Sequence, residues 1–169
     1  MTVAPQVTPD QLRSVPLLAS FSNEELARLV SIGRQMIVEP YTNVVIEGEL
    51  TWGMYLVLEG QVGVYKVNNV TGQSHEVGQL HSGAFFGEMS LIDEMPRSAT
   101  VQSLTSCRLF FIDKESFQKG LLGSGEARLR FAESCMKLLV LRLRTLNDDY
   151  VVSQYQLWRK ALGGFRGAA

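Results

Sequence analysis

Gly83-Ala84-Phe85-Phe86-Gly87-Glu88-Met89-Ser90-Leu91, followed four residues later by Pro96-Arg97-Ser98-Ala99-Thr100-Val101, is unlike the rest of this 169-residue chain. It reads as a strand end, a glycine turn, a short helix, and an arginine leading into a further strand. A glycine just before a helix start lets the backbone approach a ligand closely. The free N–H groups of a first helical turn favour an anion. Arg97 adds a planar, permanently charged fork suited to phosphate oxygens. Ser98 and the amide of Ala99 supply further donors. Glu88 is the odd member: beside a phosphate it is repulsive unless it accepts hydrogen bonds from something else, and a sugar hydroxyl is the obvious donor. One acid, one base and a ring of amides suit a sugar phosphate of low charge. A triphosphate would call for Mg²⁺ ligands and a lysine that this stretch lacks.

Outward from this stretch, the chain predicts short helices, then a β region, then a long helix. Ser22-Asn23-Glu24-Glu25 has the form of a capping box, and Leu26, Leu29 and Val30 supply an apolar face, which predicts a helix over 23–34. Pro40 marks where it can no longer continue. From 36 to 113 the period shortens. Val44–Ile46, Met54–Leu58 and Val62–Val67 are rich in β-branched residues and are punctuated by Gly and Asn. Asn68-Asn69 to Gly72 predicts a hairpin tip, and Val101–Ile112 a long strand. Many short strands at this spacing imply a mainly β fold with flanking helices, a sandwich or barrel of jelly-roll type. The expected layout is an N-terminal helical segment over 1–35, a β-roll over 36–115 with the 83–101 stretch inside it, and a C-terminal hinge and helices over 116–169.

In the last segment Leu129, Ala132, Met136, Leu139, Leu143, Leu146 and Tyr150 recur at alternating steps of three and four. That is a heptad seam. A second apolar line of Phe131, Cys135, Leu138 and Leu141 could face the β domain. One helix cannot readily use both faces in a monomer, so the expectation is a homodimer through this helix.

Charge points the same way. Sixteen Lys and Arg stand against seventeen Asp and Glu, a net charge of -1, so overall basicity cannot drive nucleic-acid binding. Residues 126–169 nevertheless carry +4 and the first 125 carry -5. Met1–Asp10 has no signal-peptide character. No apolar run is long enough to span a bilayer. Cys107 and Cys135 are expected as free thiols in a cytoplasmic protein.

Phe86–Leu91 with Pro96–Val101 closely resembles the phosphate-binding cassette of cyclic nucleotide-binding domains, found in protein kinase regulatory subunits, cyclic nucleotide-gated channels and the catabolite activator family. The nine-residue spacing from Glu88 to Arg97 is similar to that of the kinase regulatory subunits. Val45–Glu49 resembles the family's strand and turn, Tyr55–Val62 its glycine-centred hairpin, and Leu17–Leu29 its leading helical segment. The resemblance covers residues 15–147. It implies a double-stranded β-helix with a long C-terminal helix, and a regulatory sensor rather than an enzyme. It further implies that Arg97 pairs with the exocyclic phosphate and Glu88 accepts from the ribose 2′-hydroxyl. Gly87, Glu88, Met89, Ser98 and Ala99 would line the sugar-phosphate pocket, and Val77 and Leu80 the purine wall. Asn147 and Tyr150 are the candidates to cap the base.

The chain departs from the family pattern at Asn43, where a glycine is common, and at Ala84, where an acid is common. In the family a Thr after the cassette arginine goes with cGMP and an Ala with cAMP. Ser98 is shared with bacterial cAMP-binding members, so cAMP is favoured and cGMP is the alternative. No cofactor or metal is expected.

Three other readings compete. A metal-dependent cupin enzyme needs a compact cluster of histidines, and this chain has only His75 and His81, with Glu76 beside the first. Neither Ser nor Cys has a nucleophile's partners. A DNA-binding regulator of the catabolite activator type needs several tens of residues after its long helix, and Tyr150–Ala169 are too few, unless the chain is the sensor piece of a longer protein. A degenerate docking domain would have kept the fold without the ligand, yet Glu88 and Arg97 are both present. The expected mechanism is phosphate capture at Arg97, a shift of the Met89–Leu91 turn, repacking of the Phe117–Leu122 hinge, and closure of the helix from Glu126 over the base. An unidentified downstream protein would read that movement.

Overall fold

The computed structural model describes residues 7–93, 95–120 and 125–163. Eight strands form two four-stranded antiparallel sheets. The first holds β1 (Arg34–Val38), β8 (Cys107–Asp113), β3 (Gly53–Glu59) and β6 (Phe85–Phe86), in that order. The second holds β2 (Asn43–Val45), β7 (Thr100–Ser103), β4 (Gln61–Val67) and β5 (Ser74–His81). This is the expected jelly roll.

Strand β3 shows why the two-layer arrangement is stable. Its Met54, Leu56 and Leu58 join the helix-side core, while Val57 joins Val62, Val101 and Leu109 between the sheets. A strand covered on both faces reads as a continuous apolar run, as Met54–Leu58 does. On the helix side, α1 (Pro9–Arg13) and α2 (Asn23–Ile32) bury Leu12, Leu26 and Leu29 completely. The capping box of α2 forms as expected: the Ser22 hydroxyl accepts from the Glu25 amide and the Glu25 carboxylate accepts from the Ser22 amide. The helix ends at Ile32, two residues before the expected limit, because β1 begins at Arg34.

Two expectations about strands are corrected. Val101–Ile112 is not one strand: β7 and β8 lie in different sheets, joined by a corner at 104–106. Tyr55–Val62 is likewise not a paired hairpin, since β3 and β4 belong to different sheets and Gly60 turns the corner between them. The two corners pack on each other. Leu104 N–H donates to the Gln61 carbonyl at 2.8 Å, and Gln61 N–H donates to the Thr105 hydroxyl at 3.1 Å. Gly60 has φ +90°, and a β-carbon there would lie 2.6 Å from the Ser106 carbonyl oxygen, so only glycine fits. The β4–β5 hairpin does form, and Asn68 Oδ1 closes its tip by accepting from the amides of Val70 and Thr71.

After β8 come α4 (Lys114–Gly120) and α5 (Gly125–Gly163). The two helices meet at Phe117 and Phe131, whose rings are 4.9 Å apart. Ala127, Phe131 and Cys135 anchor α5 in the helix-side core. Leu141, expected to continue that inward line, is instead exposed. The inward line runs through half-buried Leu138 to Arg142, the next step of four. Every residue from 139 to 160 is exposed, including Leu139, Leu143, Leu146 and Tyr150 of the seam. Of the expected hinge, Leu121 and Leu122 lie outside the described residues, as does the chain after 163. No described helix is long and apolar enough to cross a membrane.

Candidate functional site

Gly87 ends the β6 turn with φ +79° and hands the chain to a four-residue helix, α3 (Met89–Ile92). The α3 turn then leads back to Arg97, which is held at both backbone and side chain. Arg97 N–H donates to the Glu49 carbonyl, and the Arg97 carbonyl accepts from Gly48 N–H, each at 2.9 Å. Thus Val45–Glu49 and the arginine, fifty residues apart in sequence, form one clamp.

The Arg97 side chain is almost fully buried. Nη1 donates to the carbonyls of Gly53 (2.9 Å) and Gly87 (3.2 Å) and to the Ser90 hydroxyl (3.1 Å). Nε donates to the Thr51 hydroxyl at 3.0 Å. Tyr55 lies beneath the guanidinium, its ring centroid 5.9 Å from Cζ, and stacks on Phe86. Nη2 is buried and has no hydrogen-bond partner among the described residues. A buried donor without an acceptor is costly. Electrostatics agree: burial pulls the guanidinium below its ordinary pKa, against the opposing pull of Tyr55, Glu49 and Glu88. Such a cation gains from an incoming anion.

Arg97 borders a cavity of about 470 Å³, within the range of roughly 300–1,000 Å³ usual for small-molecule sites. Gly87, Glu88, Met89, Ser98, Ala99 and Leu80 also line it, so seven of the candidate residues meet around one space. Its apolar wall is made by Val45, Val64 and Val101 together with Leu80. Glu88 is buried at the N-terminal end of α3. Ser98 is exposed; its hydroxyl reaches the Met89 sulfur at 3.8 Å, and its carbonyl accepts from Lys66.

Three candidates are not brought to the cavity. Val77 is the unpaired residue of a β-bulge, because Val64 pairs with Gly78 and Tyr65 with Glu76. Its side chain is 62% exposed. Asn147 and Tyr150 lie on the exposed part of α5 and do not line the cavity. The residue that α5 does bring to the cavity is Arg142, whose Nη1 forms an ion pair with Glu88 Oε1. The sequence does not single it out, because a charged residue beside an apolar seam reads as solvated surface. The signal was available in the step from Leu138 to Arg142. His75 and His81 sit on exposed β5, and among the described residues no group of three His, Cys, Asp or Glu side chains could hold a metal ion.

A glycine turn, a short helix and a buried arginine thus border one cavity of the β-roll. Residues 36–123 match the cyclic nucleotide-binding domain, and the chain belongs to that family. A cAMP-dependent protein kinase regulatory subunit from Yarrowia lipolytica is 37% identical over 112 residues, covering 66% of this chain and 28% of that protein. The catabolite activator protein of Thermus thermophilus superposes with a TM-score of 0.70 at 25% identity, covering 83% of this chain and 63% of that one. The regulatory domain of Toxoplasma gondii PKA, solved with cAMP, gives a TM-score of 0.66 at 25% identity, covering 76% and 48%. The chain spans about a quarter of the length of the curated relatives it matches.

Proposed function

We propose that this domain is a sensor that binds cAMP in preference to cGMP and passes its occupancy to α5. The observation that carries this reading is the buried, unpartnered Nη2 of Arg97 at the edge of a cavity that also contains a carboxylate. A cyclic phosphate would give Nη2 its missing acceptor and neutralise the desolvated guanidinium. The ribose 2′-hydroxyl would donate to Glu88. The purine would rest against Leu80, Val64 and Val101, a wall without charge. Ser98, with a short side chain already near Met89, supports adenine over guanine, by analogy with family members that carry a small residue there.

The signal would leave through α5. Phosphate capture draws on Gly87 and Ser90, which already contact Arg97, and so bears on α3. The Phe117–Phe131 contact then couples α4 to α5. The ligand acts by favouring one arrangement of these helices. The exposed Leu139, Leu143 and Leu146 would face a second copy of the chain, and a downstream protein would read the changed surface. Calorimetric titration with cAMP, cGMP and acyclic AMP tests the reading. The expected order of affinity is cAMP, then cGMP, then AMP. Absence of binding by both cyclic nucleotides at micromolar concentrations would refute it.

A further inference from the structure

Lys66, on β4, and Glu47, in the segment that clamps the Arg97 backbone, do not line the cavity. They hold its wall from outside. Glu47 N–H donates to the Thr100 hydroxyl at 3.0 Å. The Glu47 carboxylate accepts Val67 N–H on Oε2 at 2.9 Å and pairs with Lys66 through Oε1. Lys66 Nζ in turn donates to the Ser98 carbonyl at 2.6 Å. With Gly48 and Glu49 on the Arg97 backbone, residues 97, 98 and 100 are all tied to one loop and one strand. The Glu47 carboxyl lies below its ordinary value, chiefly through the Lys66 hydrogen bond and next through the Val67 amide, so the anchor is ionised at neutral pH. Lys66 is 48% exposed in its side chain, and an ion pair so open to water contributes little stability. Its consequence lies in what the lysine orients.

The Ser98 carbonyl and the Ala99 N–H belong to one peptide group. In a trans peptide the two point in opposite directions, and no peptide bond of the chain is cis. With the carbonyl drawn to Lys66, the Ala99 N–H is turned the other way, and Ala99 lines the cavity together with Arg97. A cation on the carbonyl also polarises the peptide and strengthens its N–H as a donor. We infer that Lys66, anchored by Glu47, is a positioning residue that aims the Ala99 amide at one exocyclic oxygen of the bound phosphate. The inference rests on the reading of the cavity as a cyclic nucleotide site. It gives the two exocyclic oxygens different partners, Arg97 for one and the peptide held by Lys66 for the other. Loss of Lys66 is therefore felt at one oxygen only.

The test is a cycle between protein and ligand. Wild type, Lys66→Met and Lys66→Arg, each shown to be folded by its unfolding transition, are titrated with cAMP and with its two phosphorothioate diastereomers. Each diastereomer carries sulfur, a weak acceptor, in place of one exocyclic oxygen. Lys66→Met, which keeps the stem without the charge, is expected to bind cAMP about fivefold more weakly, and Lys66→Arg within about twofold of wild type. One diastereomer is expected to lose the same factor as cAMP in Lys66→Met. The other, with sulfur facing the Ala99 amide, is expected to change by no more than about twofold. Glu47→Gln leaves Lys66 in place without its anchoring charge, and is expected to repeat this pattern with a loss of about twofold to threefold. Unchanged cAMP affinity in Lys66→Met would overturn the inference. So would equal weakening of both diastereomers, which would make Lys66 a diffuse charge or a purely structural residue. If wild type bound no cyclic nucleotide, the failure would lie with the reading of the cavity itself, and the two failures are thereby distinct.

Discussion

A β-carbon placed on Gly87 would stand 2.6 Å from Nη1 of Arg97 and 2.8 Å from the Gly53 carbonyl oxygen that the same Nη1 contacts. The absence of a side chain at Gly87 is what lets the arginine lie flat against the turn, and φ +79° adds a second reason for glycine. Gly87→Ala must therefore move Arg97 as well as strain the backbone. The expected cost is about 2 kcal/mol or more in urea unfolding, with cAMP affinity falling at least about tenfold. A variant within about 0.5 kcal/mol of wild type and with unchanged affinity would show that the close packing of Gly87 on Arg97 is unimportant.

Asp113 caps α4. Its Oδ1 accepts from Ser116 N–H at 2.8 Å, and this bond is the main reason its carboxyl lies below the ordinary value. A depressed folded-state pKa gives stability that is present above the unfolded carboxylate range and is lost as pH falls through the folded value. Asp113→Ala is expected to cost about 1 kcal/mol at neutral pH. Asp113→Asn, which keeps an acceptor but no charge, should lie between the two and narrow its gap to wild type below about pH 4. Denaturant midpoints across pH check this. A gap that widened on acidification would contradict the cap.

The apolar seam of α5 is exposed along its length, with Leu139, Leu143 and Leu146 between 54% and 64% exposed. A single chain leaves this surface in water, and heptad spacing fits it to a second helix. Leu139→Asp with Leu143→Asp is expected to give a folded monomer where wild type sediments as a dimer. Wild type sedimenting as a monomer at tens of micromolar would end the seam argument.

Local chemistry was the most legible part of the sequence. The Ser22–Glu25 capping box and the Asn68–Gly72 tip depend on residues three or four apart, and both formed as expected. Corners were not legible. A run such as Val101–Ile112 looks the same whether it stays in one sheet or crosses between two, and only the packing of Leu104 on Gln61 decides which. Face was not legible at Val77, where a bulge interrupts the alternation. The cassette side of the cavity was readable because Gly87, Glu88 and Arg97 are close in sequence. The α5 side was not, because Arg142 meets Glu88 across 54 residues and depends on how the helix leaves the core at Cys135.

The central claim is that the Arg97 guanidinium is the receptor for a cyclic phosphate. Arg97→Lys and Arg97→Ala, each shown to be folded by its unfolding transition, should be titrated with cAMP beside wild type. Wild type is expected to bind in the micromolar range or tighter, Lys to weaken this about tenfold, and Ala about a hundredfold or more, as loss of a buried charge-assisted contact implies. A folded Arg97→Ala protein that binds cAMP as well as wild type would contradict the account.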